Sequence, residues 1–265
     1  MAPPDAFFLP DGDGFLPTDF TRGPWSPEHQ HAGPPAALMA RAVQRRATPN
    51  GEPWPVTRFV LDLLRPIPVA RLTLRTHELR ASRSVQEVLV TLHAGDTLIC
   101  RASAMRLRRG EPVFPATPER SMARAPEDSP VLAKFKPPRD AGADEGYHNA
   151  MDVRLADGVF GEGPTQGWMR ARVPLVRGET TSGLCRLLTA ADAASGISPA
   201  LDWRRFTFVN AELTVHLHRP PEGEWIGIAG RTEIAADGVG LASSVLHDAR
   251  GVCGRSNQCL LLRKR

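Results

Sequence analysis

The sequence predicts an α+β fold made of two copies of one domain in a single chain. Two segments that end in Arg-Pro, residues 59–66 and 213–220, recur at a separation of 154 residues. His93 and His247 have the same separation, and neither half needs an insertion between these anchors. A repeat of this length indicates a duplicated domain, because solenoid units span only about 20–50 residues.

The first copy begins with an apolar helical stretch, GPPAALMARAVQRRA, which starts at Gly33. Pro34 and Pro35 stand in its opening turn, where a missing amide hydrogen costs nothing. The later segments VARLTLRTHEL and VQEVLVTLHAG alternate apolar and polar residues. That period of two predicts antiparallel strands after the helix.

The second copy repeats the same order of elements. Its helical stretch, TTSGLCRLLTAADAASG, offers Thr180, Thr181 or Ser182 as an N-cap and Gly196 near its end. EWIGIAGRTEI and GLASSVLHDARG then alternate, with a turn sequence at 237–238 between them. One apolar helix followed by several strands predicts a sheet wrapped around a buried helix.

The segment between the copies differs in composition. Residues 111–145 are rich in Pro, in charged residues and in small residues, which is typical of a linker. We therefore predict an N-terminal domain at 1–110, a linker at 111–145 and a C-terminal domain at 146–265.

The composition excludes several classes of protein. The net charge is +4 over 265 residues, and the arginines are dispersed, which argues against a dedicated nucleic-acid surface. No stretch reaches about 18 consecutive apolar residues, and the first residues do not have the pattern of a signal peptide. The four cysteines lack CxxC spacing, which favours reduced thiols over a metal cluster. We expect a cytoplasmic protein that neither enters a membrane nor binds nucleic acid.

Three segments carry a resemblance to a known family: residues 29–45, HQHAGPPAALMARAVQR; residues 213–225, LTVHLHRPPEGEW; and residues 252–265, VCGRSNQCLLLRKR. They resemble the bacterial acyl-CoA thioesterase II (TesB-like) family. The resemblance implies a double hotdog fold, with two antiparallel sheets each wrapped around a central helix, joined as an intramolecular pseudo-dimer. It also implies an acyl-CoA substrate, no cofactor, and homo-oligomers of pseudo-dimers.

In that family the attacking water is held by an Asp, a Thr and a Gln from the second hotdog domain. The resemblance implies that these positions correspond to Glu212, Thr232 and Gln258, with Glu in place of Asp. The equivalent residues of the first copy cannot hold the same water, since they are Arg58, Glu78 and Ala104. We therefore expect one competent site per chain.

The remaining substrate contacts are expected at the start of the first helix and near the C-terminal tail. The amides near Ala32 and Gly33 are placed to receive the oxyanion at a helix N-terminus. His31 either caps this helix or donates to the thioester carbonyl, and Arg255 either meets the phosphates of coenzyme A or is solvated. His29 and His31 lack ligand partners at metal-binding spacing, so no metal site is expected.

Two other functions stay open. A hotdog hydratase or dehydratase would act on the same thioesters, although the GDxNPxH-like segment of such enzymes is absent from the sequence. A non-catalytic acyl-CoA or acyl-carrier binding protein is the third hypothesis, supported by Glu212 in place of Asp. The Arg-Pro arginines, Arg65 and Arg219, are interpreted as structural in preference to phosphate ligands.

Overall fold

The computed structural model describes residues 5–118, 120–132, 146–160, 162–202 and 205–265. Within these ranges the first half contains one long helix and six strands. Its elements are β1 (Phe8–Asp11), β2 (Gly14–Pro17), a 3-10 turn (Asp19–Thr21), α1 (Gly33–Arg45), β3 (Val56–Leu63), β4 (Leu72–Ala81), β5 (Val85–Ala94) and β6 (Thr97–Leu107).

The described part of the second half adds three helices and seven strands. They are α2 (Tyr147–Ala150), β7 (Met151–Asp157), β8 (Thr165–Ala171), α3 (Gly183–Ala191), α4 (Ala194–Ile197), β9 (Phe206–Asn210), β10 (Glu212–Leu217), β11 (Ile226–Ile234), β12 (Val239–Asp248) and β13 (Gly251–Lys264). Part of the predicted linker, 119 and 133–145, lies outside the described residues. The proposed domain boundaries remain predictions.

The two predicted sheets join into one antiparallel sheet. Its strand order is β1-β2-β4-β5-β6-β3-β10-β13-β12-β11-β8-β7, with β9 also pairing with β13. At the joint Val60 pairs with Thr214, Arg58 with His216, and Asp62 with Glu212. Val60 and Thr214 are themselves equivalent positions of the repeat, so the pairing is reciprocal. A pseudo-twofold axis therefore passes between β3 and β10.

The repeat extends to fine detail in the strands. β5 and β12 have the same length, and both of their ends are equivalent positions of the repeat. Each strand is interrupted by the same irregularity, between Leu92 and His93 in β5 and between Leu246 and His247 in β12. The shared offset explains why the duplication of the domain could be predicted from the repeat.

The central helices pack against each other beneath the sheet. α1 and α3 start at Gly33 and Gly183, and most of their side chains are buried. Ser182 caps α3, since its hydroxyl accepts a hydrogen bond from the Cys185 amide at 3.2 Å. α1 has no side-chain cap and instead carries prolines in its first turn. The N-terminus of α1 is thus close to α3 and to the segment that follows it.

None of the helices in the described residues is long and apolar enough to span a membrane. All four cysteines are free, and only Cys259 is exposed.

Candidate active site

A cavity of about 950 Å³ opens between the two halves. Buried apolar side chains line its inner part, and polar and charged groups line the rest. Residues of the first half line one side, and residues that follow α3 line the other. The inner lining includes Met151, Val153, Met169 and Ile197, and the polar lining includes His31, Asp192 and Asn210.

Asp192 is the buried carboxylate of this cavity. It directly follows α3, is only 4% exposed, and lines the cavity wall. Its Oδ1 accepts hydrogen bonds from Asn210 Nδ2 at 2.9 Å and from Gln258 Nε2 at 3.2 Å. A buried carboxylate held by two donors has a fixed position, which a group that activates water requires.

Gln258 lies behind Asp192 and is completely buried. Its Nε2 also donates to the Asp192 backbone carbonyl at 3.0 Å, while its Oε1 accepts from the Ser195 amide at 3.3 Å. These contacts fasten the turn between α3 and α4 to β13. Gln258 therefore positions Asp192 from the side opposite to the cavity.

His31 brings the first half into contact with Asp192. Its Nδ1 lies 3.1 Å from Asp192 Oδ2, and its ring stacks on Tyr147 with a centroid separation of 3.8 Å and an interplanar angle of 4°. Burial lowers the pKa of His31 below its ordinary value, although the Asp192 carboxylate acts in the opposite direction. The imidazole is thus neutral near pH 7.

The proton on His31 must be assigned, because Nδ1 is also 3.1 Å from the Gly33 amide nitrogen. One ring nitrogen cannot both accept from this amide and donate to Asp192. We assign the proton to Nδ1, donating to Asp192, because a hydrogen bond to a carboxylate is stronger than one between neutral groups. The Gly33 N–H still points at the ring, with its nitrogen 3.1 Å from Nδ1, so it is not free for another acceptor.

The start of α1 faces the same cavity. Pro34 and Pro35 have no amide hydrogen, and the Ala36 amide bonds to the Ala32 carbonyl at 2.9 Å. The Ala32 amide has no hydrogen-bond partner among the described residues, and Ala32 lines the cavity. Ala32 thus supplies the N–H group with which this helix end can bind an anion, while the Gly33 N–H is directed at His31.

The structure does not bring Glu212 to this site. Leu213 and Val215 point into the core, so Glu212 lies on the outer face of β10. There its carboxylate accepts from the Cys259 amide at 3.0 Å and from the Thr214 hydroxyl at 2.7 Å. The predicted convergence of Glu212 with Gln258 does not occur.

Thr232 lies on the inner face but two strands away from Gln258. Thr232 pairs with Ala242, which pairs with Gln258, so the two backbones are roughly 10 Å apart. The Thr232 hydroxyl is instead 3.2 Å from the hydroxyl of Ser198. Of the three residues taken from the resemblance, the structure places only Gln258 beside the buried carboxylate.

Arg255 also lies away from the cavity. It pairs with His216 and Val245 in the middle of the sheet and is exposed on the outer face. The arginines that line the cavity are Arg65, Arg172, Arg263 and Arg265. His31 and Ala32, by contrast, line the cavity, and Gly33 directly follows them.

The corresponding position in the first half is filled by side chains. Arg106 is 4% exposed and donates to the backbone carbonyls of Trp54, Val43 and Arg46 at 3.1, 3.4 and 3.0 Å. It also donates to Gln86 Oε1 at 3.1 Å. A buried arginine that caps the end of α1 leaves no space for a water-holding site. This arrangement supports one site per chain.

Sequence reasoning missed Asp192 and Asn210. Asp192 follows a helical stretch and resembled an ordinary helix-end residue. When the two helices are aligned at their first residues, Gly33 and Gly183, its counterpart in the first copy is Ala42. An aspartate where the other copy has alanine was the available signal. In the described residues no group of His, Cys, Asp and Glu could hold a metal ion.

Family models match both halves of the chain. A model described as "Acyl-CoA thioesterase N-terminal domain" matches residues 21–107, and one described as "Acyl-CoA thioesterase C-terminal domain" matches residues 126–262. The chain belongs to the acyl-CoA thioesterase family. Membership confirms the family to which the sequence motifs pointed. It also confirms the predicted enzyme class, a thioester hydrolase. No curated protein sequence gave a significant match.

Solved structures confirm the double hotdog fold. A hot dog fold protein of unknown function from Alicyclobacillus acidocaldarius superposes with a TM-score of 0.71 at 17% identity, covering 98% of this chain and 97% of that one. An acyl-CoA thioesterase II from Mycobacterium marinum has a TM-score of 0.67 at 15% identity, covering 96% and 94%. A tesB protein from Mycobacterium avium has a TM-score of 0.59 at 14% identity, covering 89% and 88%.

Proposed function

We propose that this thioesterase hydrolyses acyl-CoA thioesters with a water molecule activated by Asp192. The observation that carries the proposal is the buried contact network of Asp192, Asn210, Gln258 and His31 at the wall of an apolar cavity. Asp192 Oδ1 accepts from two side-chain amides, and Oδ2 faces His31. A carboxylate has about four acceptor positions, so Oδ2 retains one for water.

The chemistry needs one base and one anion-binding site. The water oxygen attacks the thioester carbonyl carbon while Asp192 takes its proton. The carbonyl oxygen becomes negative in the tetrahedral intermediate and accepts from the Ala32 amide at the start of α1. The intermediate then expels the sulfur, and the proton returns from Asp192 to the thiolate. The products are a free acid and coenzyme A.

The cavity supports an acyl chain in its inner part. Met151, Met169 and Ile197 are at most 5% exposed and line this part. Burial of an apolar chain against such side chains is favourable, by about 0.8 kcal/mol for each CH₂ group. The thioester would then lie between His31 and Asp192, where the apolar lining meets the polar groups.

Thiol release from a series of acyl-CoA substrates tests the proposal. We expect free thiol to form above the rate without enzyme, with faster turnover when the acyl chain reaches the apolar lining. Binding of acyl-CoA by calorimetry without any thiol release would indicate the non-catalytic binding protein instead.

The His31–Asp192 contact favours a second candidate, a hydratase or dehydratase. Dehydration of a 3-hydroxyacyl thioester needs a base for the α-proton and an acid for the departing hydroxyl, and a His–Asp pair offers both. The same assay separates the two activities. A change in enoyl-thioester absorbance without free thiol would support the dehydratase and contradict the hydrolase.

We also infer that pseudo-dimers associate through the outer face of the second half. Val239 and Leu241 are alternate residues of β12 outside the cavity lining, and they are 58% and 38% exposed. Contiguous exposed apolar side chains are typical of protein interfaces.

In sedimentation velocity the wild-type protein should have a mass that is a multiple of 28.8 kDa. The variant that combines Val239→Asp with Leu241→Asp should sediment as the single chain. Arg231→Ala, on the polar part of the same face, is the control. A wild-type protein that sediments only as the single chain at micromolar concentration would contradict the inference.

A further inference from the structure

The two Arg-Pro arginines are equivalent by the repeat but have different surroundings. Arg219 forms a two-pronged ion pair with the fully buried side chain of Asp248, which also accepts from the Glu222 amide at 2.8 Å. The position equivalent to Asp248 in the first half is Ala94. The duplicated arginine at position 65 therefore has no carboxylate at the corresponding place.

Arg65 lies in the cavity lining instead. It is exposed, lines the cavity, and donates from Nη1 to the Leu98 carbonyl at 2.9 Å. It forms no ion pair with any of the described residues. Arg219 thus has both the structural ion pair and the buried partner, whereas Arg65 keeps only the hydrogen bond to the Leu98 carbonyl.

A second arginine reaches the same cavity from the opposite side of β9. Arg263 pairs with Thr207 across β13 and β9, is exposed, and also makes no ion pair with a described residue. On the other side the Leu63 amide donates to the Ala211 carbonyl at 3.1 Å, which brings the segment that carries Arg65 alongside the end of β9. The outer part of the cavity therefore has two guanidinium groups that no described carboxylate neutralises.

The remaining charges around the cavity do not cancel this excess. Asp152, one of the two described carboxylates in its lining, is bound by Arg170 at 2.9 Å and by Arg172 at 2.6 Å. The other, Asp192, lies at the buried end beside His31. The outer part is thus suited to an anion, and the inner part to an apolar chain.

We propose that Arg65 and Arg263 bind the phosphate groups on the nucleotide half of coenzyme A. This inference rests on the proposed hydrolysis of acyl-CoA. Guanidinium groups match phosphate oxygens in charge and in hydrogen-bond geometry. Nucleotide recognition selects free acyl-CoA over thioesters on a phosphopantetheine arm, which carries a single phosphate.

The first half offers a matched control. A smaller cavity of about 200 Å³ is lined by Val56, Leu107, Arg109, Leu217 and Arg219, at positions equivalent to those of the outer cavity. Arg109 is the repeat equivalent of Arg263, but it lines this smaller cavity, and Arg106 fills the site position of its half. Arg109→Ala should leave hydrolysis unchanged.

Steady-state kinetics with three substrates of the same acyl group tests the inference: acyl-CoA, acyl-phosphopantetheine and acyl-pantetheine. Arg65→Ala and Arg263→Ala should each raise KM for acyl-CoA about tenfold, the scale of one lost charge-assisted hydrogen bond. They should leave kcat within about twofold of wild type and KM for acyl-pantetheine unchanged. A contact that binds substrate and transition state equally affects KM alone. Higher salt should raise the KM of the wild-type enzyme for acyl-CoA, and it should raise the KM of a variant that combines Arg65→Ala with Arg263→Ala less.

Three outcomes would overturn the inference: unchanged KM for acyl-CoA, an equal change for acyl-pantetheine, or a full effect already present with acyl-phosphopantetheine. Calorimetry with coenzyme A separates failure of this inference from failure of the proposed function. If no substrate releases thiol, the hydrolase proposal fails, while a weaker Kd for coenzyme A in both variants would still support the arginines.

Discussion

Asp192→Asn should lower kcat for acyl-CoA hydrolysis about a thousandfold, within the range that a positioned general base contributes. The amide keeps the size of the carboxylate and can still accept from Asn210, so the surrounding turn should persist. It cannot take a proton from water. KM should change little, because the interaction is needed in the transition state and not for binding. Thiol release under saturating substrate measures the effect.

Glu212→Gln is the matched control for this variant. Glu212 is the acidic residue implied by the family resemblance, yet its carboxylate bonds to the Cys259 amide and the Thr214 hydroxyl on the outer face. We expect kcat within about twofold of wild type, as for a residue outside the transition-state contacts. A large loss in Glu212→Gln with a near-normal Asp192→Asn would reject the site assigned from the structure.

The fold could be predicted because the sequence patterns that indicate it recur at regular intervals. The alternation of apolar and polar residues identifies strands, and the constant offset between equivalent positions orders them in two copies. Even the irregularities at His93 and His247 coincide. Packing of the two copies around one axis follows from the reciprocal pairing of β3 with β10, which a sequence without coordinates does not specify.

The site was predicted less well because the alternation changes phase within it. In β9 the even-numbered Phe208 and Asn210 face inward, whereas in β10 the odd-numbered Leu213 and Val215 do so. The break at Ala211 causes the change. Glu212 would face the site if the β9 pattern continued, and the break turns it to the outer face. Gln258 keeps the inward orientation that the alternation predicts because β13 has no such interruption in its second half.

Helix ends explain the other omission. Asp192 acquires its role from the turn between α3 and α4, where it meets Asn210, Gln258 and His31. These partners lie 18, 66 and 161 positions away along the chain. Neither helical periodicity nor strand alternation relates positions so far apart, so the sequence offers only the contrast with Ala42, and the partners of this acid follow from the assembled structure.

Gly33→Ala should reduce kcat/KM about a hundredfold, since displacements near 1 Å in a site can cost that much. A Cβ at Gly33 would lie 2.3 Å from the Thr189 carbonyl oxygen, so α1 and α3 must move apart. That carbonyl also accepts from the Tyr147 hydroxyl at 2.7 Å, and Tyr147 stacks on His31. The displacement therefore reaches His31 and Asp192. Overpacking should also lower the free energy of unfolding by about 1–3 kcal/mol.

Gly183→Ala separates the catalytic effect from the loss of stability. Gly183 begins α3 as Gly33 begins α1, and its Cβ would lie 2.0 Å from the Pro221 carbonyl oxygen. This clash is at the opposite end of α3 from Asp192, roughly 13 Å along the helix. Both variants should lose similar stability in thermal denaturation, but only Gly33→Ala should lose most of its turnover. Equal losses of turnover would mean that Gly33 acts through the stability of the fold, and the oxyanion role of this helix end would be rejected.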